Sequence, residues 1–392
     1  MEAVRSLHVA YCAVCELHTM TKSDPRYHRV LVWDFPTRVF HWLLVAATSV
    51  AFITGSILPQ WWLGVHRGAG YVIVGLLVFR FVWAAFGSEF SRLTNFVYSP
   101  SETLDHLRGI LLLSPRHYLG HNPAGAAMIF ALAFVLCGLV VTGLLTEAGE
   151  EKIGPLAGIT SYAVGHTAKT IHAILVGILA VMIAAHVAGV IAESLLTREN
   201  LVASMITGRK ALPERAHLPA PRPPRWRAAS ASCVVVIGVG ALTLALLGRL
   251  PPKGVPAAAV NAAYARECGA CHSAFHPSLL PAASWQKMLG TLDQHFGEDA
   301  SLPAPVLAEI AEFLATHAAE AWDTEIGIRF RTVTANGPPQ ITATPAWLRK
   351  HAPLPEAWFA RKSVGSKSNC SACHRDAASG RFDDSKIFVP KE

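Results

Sequence analysis

Cys268-Gly269-Ala270-Cys271-His272 is followed, near the C-terminus, by Cys370-Ser371-Ala372-Cys373-His374. In both stretches a His directly follows the second thiol of a Cys-x-x-Cys pair. At that spacing two thiols add to the vinyl groups of haem while the adjacent imidazole takes the iron. A structural zinc site is the competing reading, but zinc ribbons do not need a His directly after the second Cys. Two copies in one short segment favour covalent haem at both. Cys268, Cys271, Cys370 and Cys373 are then the attachment points, with His272 and His374 on the irons.

Upstream of these motifs the chain changes character. Of 392 residues, 52% are hydrophobic and 16% charged, against roughly a quarter charged in soluble proteins. A bilayer crossing takes about 20 apolar residues. Five runs qualify: near Val39 to Leu63, His66 to Gly87 (interrupted by Arg80), Pro123 to Thr146, Thr170 to Ala192, and Ala228 to Gly248. Ser101 to Leu113 is amphipathic and expected at the membrane interface. Pro-rich stretches, Pro213 to Pro224 and Pro251 to Pro256, flank the fifth run as extended spacers. The expected organisation is a tail over 1–27 whose true start is expected at Met20, a membrane bundle over 28–212, a linker and fifth span over 213–250, and a haem c domain over 251–392. The fold class is all-α.

Charge sets the orientation. Lys22, Arg26, Arg29 and Arg38 precede the first span, and Arg198, Arg209, Lys210, Arg215, Arg222, Arg225 and Arg227 lie between the fourth and fifth. The positive-inside rule puts both segments in the cytoplasm. Five crossings then put the haem c domain outside, where haem c is attached in bacteria. The net charge of +7 speaks to topology and anionic lipid. No basic run is interleaved with aromatics for base stacking, so no nucleic-acid partner is expected. No signal peptide is evident, so the first span is expected to direct insertion. Of the other cysteines, Cys137 and Cys233 sit in apolar runs and read as packing thiols. Cys12 and Cys15 precede Glu16 and are not a haem c motif.

Ionisable residues inside membrane helices are rare and usually functional. His41, His66, His172 and His186 fall in or at the ends of spans. His172 and His186 share nearly one helix face and stand about 21 Å apart along the axis, one toward each membrane surface. His41 starts the first span on the cytoplasmic side, and His66 starts the second on the outer side. Depth therefore pairs His66 with His172 and His41 with His186, each pair able to clamp one non-covalent haem b between helices. His166 competes with His172 but points about 160° away from His186. Arg80 shares a face with His66, lower in the membrane, and suits a haem propionate; snorkelling to the interface is the alternative. His117 and His121 are expected in solvent-facing loops.

These residues also carry a resemblance. Val32-Trp33-Asp34-Phe35-Pro36-Thr37-Arg38-Val39-Phe40-His41-Trp42 resembles the opening of the bacterial cytochrome b561 / nickel-hydrogenase b-type cytochrome family. Gly120-His121-Asn122-Pro123, His186-Val187-Ala188-Gly189, Arg198-Glu199-Asn200-Leu201 and Met205-Ile206-Thr207-Gly208-Arg209-Lys210 are similar to it too. The likeness covers about residues 28–212 and implies a four-helix bundle holding two haems b through four histidines. The C-terminal part resembles the dihaem cytochrome c family. It does so through His276-Pro277-Ser278-Leu279-Leu280-Pro281, Ser284-Trp285, the stretch from His295 to Leu302, that from Thr344 to His351, and Asn369 to Phe382. Each c haem needs or leaves open a sixth position, for which His276, His295, His317, His351 and Met288 are the candidates. His295 and His351 lie inside the family-like stretches, and the family is similar to bis-His cytochromes. Those two are the expected ligands, without assignment to either haem. His317 reads as a surface residue and Met288 as part of a core face.

The resulting expectation is electron transfer across a bacterial inner membrane through two haems b and two haems c. It runs between the quinone pool and a periplasmic cytochrome or redox enzyme, as in a quinol:cytochrome oxidoreductase. Two other readings stand beside it: a superoxide- or small-molecule-oxidising enzyme coupled to quinone, and a b-type anchor subunit of a hydrogenase-like complex. No nucleophile–base triad, phosphate-binding Gly loop or catalytic carboxylate pair is visible.

Overall fold

A computed structural model describes residues 27–213, 222–256, 261–332 and 340–390. Cys12 and Cys15 lie outside the described residues. The described chain is mainly helical, and five of its helices are long and apolar enough to cross a membrane.

The chain opens with β1 (Tyr27–Leu31) and α1 (Phe35–Ser56), whose first turn is fixed by Asp34 accepting from the Thr37 backbone N–H at 2.8 Å. The helix stops at Ser56, short of the expected Leu63, because Pro59 cannot continue the hydrogen-bond ladder. The second membrane helix, α2 (Leu63–Phe86), follows a single short turn. Next comes α3 (Pro100–Leu111), whose Ser99 and Glu102 form a capping box that satisfies orphan N–H groups at its start. α4 (Pro123–Gly149) and α5 (Tyr162–Thr197) complete a hairpin. α5 runs 36 residues, well beyond the apolar run that marked it.

Two further elements close this part: α6 (Leu201–Thr207), capped by Asn200, and β2 (Arg209–Pro213). β2 pairs antiparallel with β1, Leu31 against Arg209 and Val30 against Lys210. Four membrane helices separate the two strands, so an even number of crossings brings these basic segments to one side. Gly208 makes the turn into β2. It sits at φ +80° and a Cβ there would meet the Trp33 carbonyl at 2.4 Å, so only glycine fits. Val32 and Trp33 both donate to its carbonyl.

The described residues form two compact units. The first lies within Met1–Phe52, Arg67–Val141 and His172–Ala241. Its core is a mid-bundle layer of Ala47 from α1, Ile73 and Leu77 from α2, Val135 and Leu136 from α4, and Leu179 from α5, with Cys137 packed against it. Lipid is as apolar as these side chains, so close packing holds such a layer. The fifth membrane helix, α7 (Trp226–Leu247), starts in this unit. It attaches by its first turns, where Ala229 and Cys233 meet Val82, Trp83 and Phe86.

The second unit lies within Ile53–His66, Thr142–Ile171 and Leu242–Glu392. Its helices are α8 (Ala262–Glu267), α9 (Ala282–Leu289), α10 (Ala304–His317), α11 (Glu325–Phe330), α12 (Pro345–His351) and α13 (Glu356–Phe359). They enclose a core of Tyr264, Leu280, Trp285, Ile310, Leu314, Phe330 and Trp347, with Met288 packed against it. Burying each of the larger side chains contributes about 2 kcal/mol.

In this same unit the α4–α5 loop is tied into the C-terminal part. Lys152, 2% exposed, gives its ammonium to Asp323 Oδ2 at 2.9 Å and to the Thr160 carbonyl at 3.2 Å. The Tyr162 backbone N–H donates to the same Asp323 oxygen. Arg381 donates to the Lys152 carbonyl, and Lys253 N–H to the Ala157 carbonyl at 2.9 Å. Within the hairpin, Gly149 and Gly165 bring the two backbones so close that a Cβ on either would lie 2.6 Å from the other's Cα.

Candidate haem sites

The first Cys-x-x-Cys-His motif begins as α8 ends. Asn261 caps that helix by accepting from Tyr264 N–H at 2.7 Å, and the Tyr264 hydroxyl donates to the Phe275 carbonyl at 2.6 Å. These bonds brace the motif from both sides. His272 Nδ1 lies 2.9 Å from the Ser273 carbonyl. His295 is set by a tight reversal in which Phe296 (φ +53°) and Gly297 (φ +97°) are both left-handed, and Glu298 N–H returns to the His295 carbonyl. The two imidazoles face one another with ring centres 6.2 Å apart and planes 26° apart.

The second motif is a single short turn closed by His374 N–H donating to the Cys370 carbonyl at 2.8 Å. Phe388 N–H donates to the Cys373 carbonyl and holds the C-terminal strand of chain against it. His351 ends α12, a helix that Thr344 caps and that carries Pro345 at its first position, as helix starts favour. Its Nδ1 bonds the Trp347 carbonyl at 2.9 Å and its ring stacks on Trp347. That bond leaves Nε2 as the free nitrogen, the usual way an outer partner orients a metal-binding imidazole. His351 and His374 also stand with ring centres 6.2 Å apart, at 74°.

The repeated spacing has a physical meaning. Imidazole nitrogens bind first-row metals at about 2 Å and lie roughly 1 Å from the ring centre, so two rings on opposite sides of one metal have centres about 6 Å apart. Either pair would accommodate a single iron, and each contains the His that directly follows a Cys-x-x-Cys pair in the sequence. His374 Nδ1 is buried without a hydrogen-bond partner. Burial and the neighbouring His351 push the His374 imidazole down to about 4, so it is neutral at pH 7, as a metal ligand must be. A zinc site fits less well. Among the described residues no three His, Cys, Asp or Glu side chains converge on one point. Burial, helped by Glu267, also raises the Cys268 thiol to about 11, away from the thiolate that zinc needs.

The rival histidines are engaged elsewhere. His276 accepts from Ser278 N–H, caps the turn Pro277–Leu279 and packs edge-on against Trp322 at 4.6 Å. His317 is half-buried, not a surface residue: its Nδ1 bonds the Phe313 carbonyl and its ring lies on Phe313.

In the membrane part, His41 sits on the second turn of α1, its Nδ1 buried without a hydrogen-bond partner. His186 of α5 lies close enough to interact with it electrostatically. His66, on the first turn of α2, lies against Gly55, where a Cβ would come within 2.6 Å of its Nδ1. His172 lies on α5, four turns from His186, in the first unit, whereas His66 belongs to the second. His166 pairs with Glu150 at 2.8 Å and stacks on Tyr162, so it is engaged at the α4–α5 connection.

Arg80 gives its Nη1 to the Ser91 carbonyl at 3.0 Å, five residues past the end of α2, and its guanidinium lies over Phe96. One expectation needs correction. His121 is not solvent-facing. It is packed between Trp33 at 4.5 Å and Phe96 at 4.7 Å, and burial, with Arg80 and Lys210 adding, pushes it down to about 3. The polar Gly-His-Asn-Pro loop gave no sign of the aromatic walls that cover it. His106 was also missed and is buried on α3; its place on the second helix turn of an amphipathic stretch, between Leu104 and Leu107, was the available signal.

Residues 32–208 match the family described as prokaryotic cytochrome b561, and residues 264–382 that of dihaem cytochrome c. The probable Ni/Fe-hydrogenase B-type cytochrome subunit of Rhodobacter capsulatus is 25% identical over 222 residues, 48% of this chain and 84% of that protein. The corresponding probable subunit of Ni/Fe-hydrogenase 1 from Escherichia coli K12 is 23% identical over 210 residues, 45% and 88%. Among solved structures, a diheme cytochrome type c from Shewanella baltica OS155 is 37% identical, covering 33% of this chain and 93% of that one, with a TM-score of 0.27. The diheme cytochrome c from Rhodobacter sphaeroides is 32% identical, covering 34% and 100%, with a TM-score of 0.29. The chain belongs to the prokaryotic cytochrome b561 family through its membrane part and to the dihaem cytochrome c family through its C-terminal part: a multi-pass membrane cytochrome that carries haem b and haem c and transfers electrons.

Proposed function

We propose that this chain carries electrons between the quinone pool and a redox protein outside the bacterial inner membrane, with its N-terminus in the cytoplasm and residues 251–392 in the periplasm. His41 with His186, and His66 with His172, hold two haems b. Cys268, Cys271, His272 and His295 hold one haem c; Cys370, Cys373, His374 and His351 hold the other. Haem supplies one-electron exchange between ferric and ferrous iron. Arg80 keeps donors beyond the one given to Ser91 and holds a propionate. The protein fixes ligand identity and spacing, and the Lys152–Asp323 pair fixes the C-terminal part to the α4–α5 loop. Arg381, seven residues past His374, bonds that same loop, so the second c site exchanges electrons with the membrane. The first, with Cys271 and His272 exposed, faces the soluble partner.

The observation that carries this reading is the 6.2 Å spacing of imidazoles in both c sites. With His272 and His295, or His374 and His351, on one haem iron, no position would stay open for a small substrate, which favours a carrier over an oxidising enzyme. Carbon monoxide difference spectra test it. The reduced wild type is expected to show no binding at haem c, and His295→Ala and His351→Ala each to open one c iron. Strong binding by the wild-type c haems would favour the enzymatic reading. The names of the b-type relatives support a second reading, an electron outlet for a hydrogenase-like enzyme. Co-purification of such an enzyme with the tagged chain would favour it.

A further inference from the structure

The first unit buries a polar cluster that the haem ligands do not use. His106 of α3 is 4% exposed, and neither ring nitrogen has a hydrogen-bond partner. Its carboxylate neighbour is Glu193 Oε2 at 3.9 Å, too far for a hydrogen bond. Tyr118 presents its ring edge-on to the imidazole at 5.3 Å. Asn122 donates to the same Glu193 oxygen and aims the carboxylate. Buried polar groups are almost always satisfied, so an imidazole with both nitrogens open marks the place of a missing partner.

The surroundings limit what that partner is. α3 exposes Leu104, Leu107 and Leu111, and Leu112 and Leu113 continue the exposed apolar run. This is the surface of a helix lying in the membrane interface, so the ligand arrives from lipid. An imidazole with both nitrogens open suits a ligand with carbonyl or hydroxyl oxygens, and an imidazole beside a carboxylate can relay that ligand's protons. Glu193 stands two helical turns beyond His186 on the same face of α5, about 10 Å along the axis, within reach of electron exchange with a haem on His186.

We propose that His106, Glu193 and Tyr118 form the binding site for the quinone head group, with His106 as the proton acceptor from quinol and Glu193 as the group that takes the proton onward. The proposal rests on the quinone reading above. Quinol gives up two O–H protons and two electrons. Each proton passes in turn to His106, then to Glu193 and out, while the electrons reduce two ferric irons to ferrous; quinone is the product.

The test uses the full-length haem-loaded protein with short-tailed benzoquinol and naphthoquinol, beside His106→Phe, His106→Gln, Glu193→Gln and, as control, Asp105→Asn. Quenching of tryptophan fluorescence by the oxidised quinones reports binding independently of turnover. His106→Phe is expected to weaken binding about tenfold through lost hydrogen bonds. His106→Gln keeps a donor and an acceptor and is expected to bind nearly as wild type, yet to slow quinol-driven haem b reduction about a hundredfold through lost proton transfer. Glu193→Gln is expected to slow reduction with binding kept, and Asp105→Asn to change neither. Wild-type protein that no quinol reduces would sink the quinone reading itself. Wild-type reduction with binding and rates unchanged in the His106 and Glu193 variants would sink this site alone.

Discussion

The two haem c sites share a motif and an imidazole spacing, yet they lie in different surroundings. The first leaves Cys271 and His272 exposed, and beside His295 stand exposed Phe296, Glu298 and Asp299. The second sets His351 and His374 among Trp347, Phe359 and Phe382, with Arg381 bonded to the α4–α5 loop. A common spacing is what one iron between two imidazoles would require. The exposure differs because the flanking chain is free to differ. A motif therefore tells which cofactor is held, while in the proposed reading the residues around it set the partner of each site.

The largest expected effect separates the sites outright. Replacing Cys268 and Cys271 by Ala, or Cys370 and Cys373, is expected to remove half of the covalent haem in each case. Acidified acetone, which extracts only non-covalent haem, followed by a pyridine haemochrome assay checks this. Loss of both covalent haems from either variant would mean that the sites do not assemble independently.

A smaller effect sharpens the contrast in membrane coupling. Asp323→Ala leaves the buried Lys152 ammonium unpaired, at a cost of about 3 kcal/mol. Hydrogen exchange is expected to rise across the α4–α5 loop and the second motif and to stay unchanged at α8. Reduction of haem c by a soluble donor is expected to persist, while reduction through haem b slows. Uniform exchange across both sites would show that the loop contact does not distinguish them.

The smallest effect concerns pH. Burial, then the charge of His317, pushes His276 down to about 4 from its ordinary 6.5. Below 6.5 the unfolded chain takes up a proton there that the folded chain refuses. Stability is therefore lost as pH falls from 6.5 toward 4, by about 1.4 kcal/mol per unit at most. His276→Asn keeps a cap acceptor and cannot titrate, so it is expected to flatten this slope in thermal unfolding followed at the haem c bands. An unchanged slope would assign the pH dependence to other groups.

What the sequence made legible follows the range of the forces involved. Cys-x-x-Cys-His spacing and apolar runs are local, so the motifs and the five membrane helices could be read directly. The first turns of α5 were missed because His166 and Lys169 break the apolar run, and both are held by Glu150, a partner that only the folded hairpin brings near. Lys152 with Asp323, 171 residues apart, was illegible for the same reason. His295 and His351 came from the family likeness alone, since no periodicity links them to His272 or His374. His121 stood in a short polar context whose burial depends on Trp33 and Phe96 arriving from elsewhere, and His106 in an amphipathic stretch, packed against Tyr118.

The central claim is that electrons reach haem c through haem b. Stopped-flow mixing of oxidised full-length protein with quinol, followed at the b and c absorption bands, tests it most directly when repeated with His186→Ala. In the wild type the b bands are expected to rise before the c bands. In the variant, c reduction by quinol is expected to be lost, while dithionite still reduces the c haems fully. Reduction of haem c by quinol at an undiminished rate in His186→Ala would contradict the account.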